Sequence, residues 1–204
     1  MTEEEWLACT DPQPMLEYVR GGATDRKLRL FACGCCRPKW DLLSETSRAA
    51  VVVAEKFADG ETTRQAMKKA RRAAWDGWRF PMLLAAWHAA DLWAWQGACA
   101  AADSAAPRLG TDRDVAGMRS QCDLLRCVLG NPFRPVTAEA RWLTSTAVGL
   151  AQTIYVERAF DRLPILADAL EEAGCDDPDV LSHLRGDGPH VRGCWVVDLV
   201  LGKG

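Results

Sequence analysis

The sequence predicts an all-α protein, an irregular array of about nine or ten short to medium helices. Three observations carry this. Apolar residues recur at helical spacing in nearly every segment, and alternating strand patterns are almost absent. The one β-branched run, Val51-Val52-Val53, lies inside a helical pattern. Gly, Pro, Asp and Thr fall where helices start and stop.

Thr10-Asp11-Pro12 is an N-terminal cap signal for a helix burying Met15, Leu16 and Val19, which stops at Gly21-Gly22. Thr24-Asp25 caps the next, which carries Leu28, Leu30 and Phe31 into FACGCCRPKW. Cys33 and Cys36 share a helical face there. They are half of a metal site or a redox dithiol by spacing, or small residues at a tight packing point. A helix from Ser44 to Asp59 buries Val52, Val53 and Phe57 and is closed by Gly60. Thr62 or Thr63 starts the next, which runs through Met67 toward Trp75 and Trp78.

Residues 73–106 are rich in Ala and Trp and are interrupted by Pro81, which predicts two helices. Large Trp against small Ala suits a core hairpin. An exposed aromatic surface is the sharper alternative, because Trp is enriched at binding hot spots, and it singles out Trp87, Trp93 and Trp95. Residues 105–111 are the linker candidate, so the domains are expected as 1–106 and 107–204, or as one continuous body.

Thr111-Asp112 is expected to cap a helix with Val115, Met118, Cys122, Leu125 and Leu129 on one face, ended by Gly130-Asn131-Pro132. Two short helices follow, around Trp142 and around Val148 to Tyr155. The segment from Leu163 then reads as three helices. The first starts at Pro164 and stops at Gly174, the second starts at Asp177-Pro178 and stops at Gly186, and the third follows Gly188-Pro189.

That last segment holds the candidate metal set Cys175, His183, His190 and Cys194. Two thiolates and two imidazoles are a valid zinc set, and a His-x3-Cys arm on one helix would place both donors on one face. The competing reading makes the cysteines buried fillers and the histidines turn residues.

Hydrophobic residues make up 49% of the chain, with 25 basic against 28 acidic side chains. That balance excludes a disordered polyampholyte and gives no electrostatic reason for nucleic-acid binding. No apolar run of membrane length is present, and the acidic start Met-Thr-Glu-Glu-Glu leads us to expect no signal segment; on that expectation nine cysteines imply free thiols in a reducing cytoplasm. Phosphate-binding glycine loops, His-Glu-x2-His and Gly-x-Ser-x-Gly are all missing.

WLACTDPQPMLEYVRG, DRKLRLFACGCCRPKW, GNPFRPV with AFDRLP, LPILADALEEAGC and GPHVRGCWVVDLVLGK together resemble an uncharacterised family of bacterial proteins. LADALEEAG also resembles a short helical module that accompanies repeat proteins in some bacteria. The resemblance implies a bacterial, cytoplasmic, helical protein and transfers no functional residue. The expected function is a non-enzymatic interaction or scaffold module whose partner is another protein. The alternative is a small zinc-stabilised or thiol-based regulatory domain.

Overall fold

The computed structural model describes residues 1–75, 84–105 and 114–204, and the backbone of 108–109 and 112–113. Trp78, Pro81 and most of the 105–111 linker candidate lie outside the described residues. The fold is all-α, with twelve α-helices among the described residues, ten of them of seven or more residues. The only paired strands among the described residues are two-residue β1 (Arg108–Leu109) and β2 (Asp112–Arg113), antiparallel to each other.

The chain divides into two compact units, Met1–Leu125 and Arg126–Gly204. The division falls inside helix α8 (Val115–Leu129), later than the 106/107 boundary expected from composition.

In the N-terminal unit, side-chain caps start most helices. Thr2 caps α1 (Glu3–Ala8) in a reciprocal box with Glu5, and Asp11 caps α2 (Pro12–Val19). Thr24 caps α3 (Asp25–Cys36), Ser44 caps α4 (Glu45–Ala58) and Thr63 caps α5 (Arg64–Ala73). α3 is the central helix: it packs on α4, α6 (Leu84–Ala89) and α7 (Ala94–Ala105), and nine consecutive residues from Leu28 to Cys36 are buried. On α4, Val51 and Ala54 face inward, whereas Val52 is exposed.

Arg29 and Glu55 are buried in this unit. Arg29 donates to the carbonyls of Ala89, Asp91 and Leu92, closing the C-terminal end of α6. Glu55 accepts from Arg37 at 2.7 and 2.9 Å, and the Arg37 guanidinium lies 4.1 Å from the Trp40 ring centre.

The cap of α8 is Asp114, whose carboxylate accepts from the Gly117 N–H at 2.9 Å, rather than the expected Thr111-Asp112. The C-terminal unit continues with α9 (Ser145–Glu157), capped by Thr144, and α10 (Leu163–Glu172). α11 (Pro178–Arg185), capped by Asp177, and α12 (Trp195–Leu201) complete it. α9 packs on α10 and α12, and Ile154, Leu163, Leu166, Leu170, Leu184 and Val196 are fully buried. The final helix begins at Trp195, later than Gly188-Pro189 suggests, and buries Val196, Val197 and Val200.

Candidate metal centre

Four donor-bearing residues of the C-terminal unit meet at one point. Cys127, His183, His190 and Cys194 each offer a ligand atom, and these atoms all lie within 4.8 Å of one another. Each comes from a different local structure.

Cys127 sits in the last turn of α8, between buried Leu125 and Val128. The helix stops at Gly130, whose φ of +72° is a left-handed conformation that suits glycine. A Cβ at Gly130 would stand 3.2 Å from the Trp195 ring, so the bare backbone lets that ring approach. Trp195 directly follows Cys194. The same contact that ends α8 therefore brings Cys127 near the start of α12.

His183 is carried by α11. Asp177 accepts from the N–H groups of Asp179 and Val180, and Pro178 occupies the first turn, which sets this helix without outside help. Val180 and Leu184 face inward, and His183 is half-buried beside them. Its Nε2 lies 3.2 Å from Cys194 Sγ.

His190 lies in the non-helical stretch after Gly186. Its Nε2 is 3.2 Å from the Gly186 carbonyl oxygen. A carbonyl only accepts, so Nε2 carries the proton, and in the neutral ring the lone pair sits on Nδ1. Nδ1 faces Cys127 Sγ at 3.8 Å. This is the arrangement by which a carbonyl outside the ligand set fixes the tautomer of a metal-binding histidine. The two imidazoles meet edge to face at 5.0 Å between ring centres.

Cys194 is the residue before the first turn of α12. Gly193 ahead of it has φ +95°, and the Cys194 carbonyl accepts from Asp198 N–H at 2.9 Å, but its thiol makes no capping bond to the helix. Burial alone would push this thiol up. Hydrogen bonds with Cys127, His183 and His190 outweigh burial and hold it well below the usual thiol range. For His190 burial opposes the charge, but the Cys194 sulfur and the Gly186 carbonyl raise it above an ordinary imidazole.

The distances suit zinc. Zinc–sulfur bonds of about 2.3 Å and zinc–nitrogen bonds of about 2.0–2.1 Å, at tetrahedral angles, place sulfur and nitrogen ligands roughly 3.5 Å apart. The observed sulfur–nitrogen separations, 3.2 and 3.8 Å, fall on either side of that value. Two thiolates and two neutral imidazoles also cancel the charge of a divalent ion, which matters because both cysteines are buried.

The structure therefore brings together three of the four residues expected from sequence and replaces the fourth. Cys175 is buried in the turn after α10, where its N–H donates to the Leu170 carbonyl, and it is not in the group. His190 and Cys194 are not a helical pair, because α12 starts only at Trp195. Nothing local in the sequence marks Cys127. It falls off the Cys122/Leu125/Leu129 stripe and is separated from His183 by the whole of α9 and α10.

The other candidates have different surroundings. Cys33 and Cys36 are buried on α3, where their thiols face the carbonyls of Val51 and Ala32, and burial pushes both well above the usual thiol range. Trp87 is half-buried beneath Arg71, 3.9 Å from its ring centre, and meets Trp75 edge to face. Trp95 is half-buried and lies 5.2 Å from the Arg20 guanidinium. Trp93 is 67% exposed. No helix among the described residues is long and apolar enough to cross a membrane.

The chain matches no protein-family model, no curated protein and no solved structure, so the resemblance to a bacterial family has no family model behind it.

Proposed function

We propose that residues 126–204 form a zinc-stabilised helical module, with Cys127, His183, His190 and Cys194 as the ligands and a structural, non-catalytic ion. The observation that carries this is the convergence of the four donor atoms within 4.8 Å. Four protein ligands complete a tetrahedron and leave no position for a water or substrate, which separates structural from catalytic zinc. The ion ties the end of α8, α11, the 186–193 loop and the start of α12 into one body, so its binding energy contributes directly to folding.

The test is elemental analysis of the full chain purified without added metal or chelator, followed by zinc reconstitution. About one zinc per chain is expected. A chain that neither retains nor takes up zinc overturns the reading.

A second reading, docking of another protein, is supported by exposed Trp93. Truncating a ring used only for an external contact changes stability by no more than about 0.5 kcal/mol. A clearly larger loss in Trp93→Ala places the ring in the protein's own packing.

A further inference from the structure

The zinc reading gives the two thiols of this site a further role. We infer that Cys127 and Cys194 form a redox-controlled latch: a hydroperoxide oxidises the pair to a disulfide and the zinc ion is released. Its basis is the Cys2His2 assignment above together with the distribution of the other thiols.

Cys127 and Cys194 are the only cysteines in the cluster, and their sulfurs lie within 4.8 Å. Bringing them to the ~2.05 Å of a disulfide takes a closing movement of under roughly 3 Å. One oxidised product is favoured, because Cys175, the remaining cysteine of residues 126–204, is outside the group. The half-buried His183 and His190 rings lie between the buried sulfurs and the surface, so the oxidant required is a small one.

Four of the remaining thiols, Cys33, Cys35, Cys36 and Cys99, are poor competitors. Cys33, Cys35 and Cys36 are buried in α3 and their thiols are pushed up by burial, so they hold little reactive thiolate. Cys99 is pushed up to about 11, first by burial and then by Asp103. Cys9 is half-buried and directs its S–H to the Asp11 carbonyl at 3.1 Å.

The step balances. Two zinc-bound thiolates, one hydrogen peroxide and two protons give one disulfide, two waters and a free zinc ion. The sulfurs lose two electrons and the peroxide O–O bond takes them. A dithiol reductant reverses the disulfide, and added zinc restores the site. The disulfide would keep the end of α8 joined to the start of α12 while freeing both histidines. Oxidation therefore loosens α11 and the 186–193 loop in particular.

The experiment uses the full chain loaded with zinc. It is titrated with hydrogen peroxide while released zinc is read with a chromogenic chelator, and peptide mass mapping locates the oxidised sulfurs. The expected result is one zinc released per two thiols lost, a Cys127–Cys194 disulfide as the main product, and recovery of bound zinc after dithiothreitol and zinc are added. Cys175→Ala is expected to give the same stoichiometry. Sulfinic or sulfonic acid on either ligand as the main product, a disulfide through another cysteine, or zinc retained while Cys9 is oxidised overturns the latch alone. Failure to load zinc at the outset overturns the site itself, so the two failures are told apart by the first measurement.

Discussion

His183 Nε2 stands 3.2 Å from Cys194 Sγ, although one residue belongs to α11 and the other precedes α12. Between them runs the loop that supplies His190, whose Nε2–H is anchored on Gly186 and whose Nδ1 looks toward Cys127. The loop is thus folded around its own donor atoms.

That geometry separates two cysteines that look equivalent in sequence. Outer-shell changes typically weaken metal binding about 10–100-fold, and loss of a ligand should exceed that. Cys127→Ser is expected to lower zinc affinity by more than roughly a hundredfold, and Cys175→Ser to leave it nearly unchanged. Competition against a chelator of known affinity measures both. Equal losses in the two variants would falsify the Cys127 assignment.

Zinc should also raise the melting temperature. An ion held at a hundred to a thousand times its dissociation constant adds about 2.7–4.1 kcal/mol to the folded state. Chelation should lower the midpoint, and cobalt(II) in place of zinc should show thiolate charge-transfer and tetrahedral d–d absorption. Octahedral cobalt spectra would count against the four-ligand set.

Gly130→Ala tests the joint between α8 and α12. The left-handed φ costs a non-glycine residue roughly 1–2 kcal/mol, and the new methyl meets the Trp195 ring at 3.2 Å. We expect a loss of about 2 kcal/mol or more in denaturant unfolding, with weakened zinc binding. A neutral substitution would show that Trp195 moves aside freely.

In the N-terminal unit, Arg37→Met takes the guanidinium from a carboxylate that is only 2% exposed. Removing one partner of a buried pair typically costs about 3–5 kcal/mol. Because Arg37 is itself partly exposed, the lower end is expected, read as a shift in the unfolding midpoint with metal content unchanged.

Thiol labelling should follow burial. Cys33, Cys35 and Cys36 should react only on unfolding. Cys99, pushed up to about 11, holds its proton through neutral pH. Its labelling rate should therefore climb about tenfold per pH unit above pH 8 and level off near pH 11. A plateau near pH 9 would show an unperturbed thiol.

The helices and their ends are legible in the sequence because their causes are local. Asp11-Pro12, Thr24, Ser44, Thr63 and Asp177-Pro178 all act as start signals, since a cap needs only a side-chain oxygen two or three residues from an unpaired N–H. The site was partly legible for the same reason: His183, His190 and Cys194 lie close together in sequence, and two thiols with two imidazoles are a set that zinc accepts. Local spacing misplaced His190 on a helix, because Gly193 breaks the backbone just before α12. The choice of Cys127 over Cys175 belongs to the tertiary structure alone. Both are buried cysteines within three residues of a left-handed glycine, Gly130 for Cys127 and Gly174 for Cys175. Only the packing of Trp195 against Gly130 puts one of them, and not the other, beside Cys194. Local chemistry sets which segments are helices, and the burial of rings from distant segments decides which thiols meet.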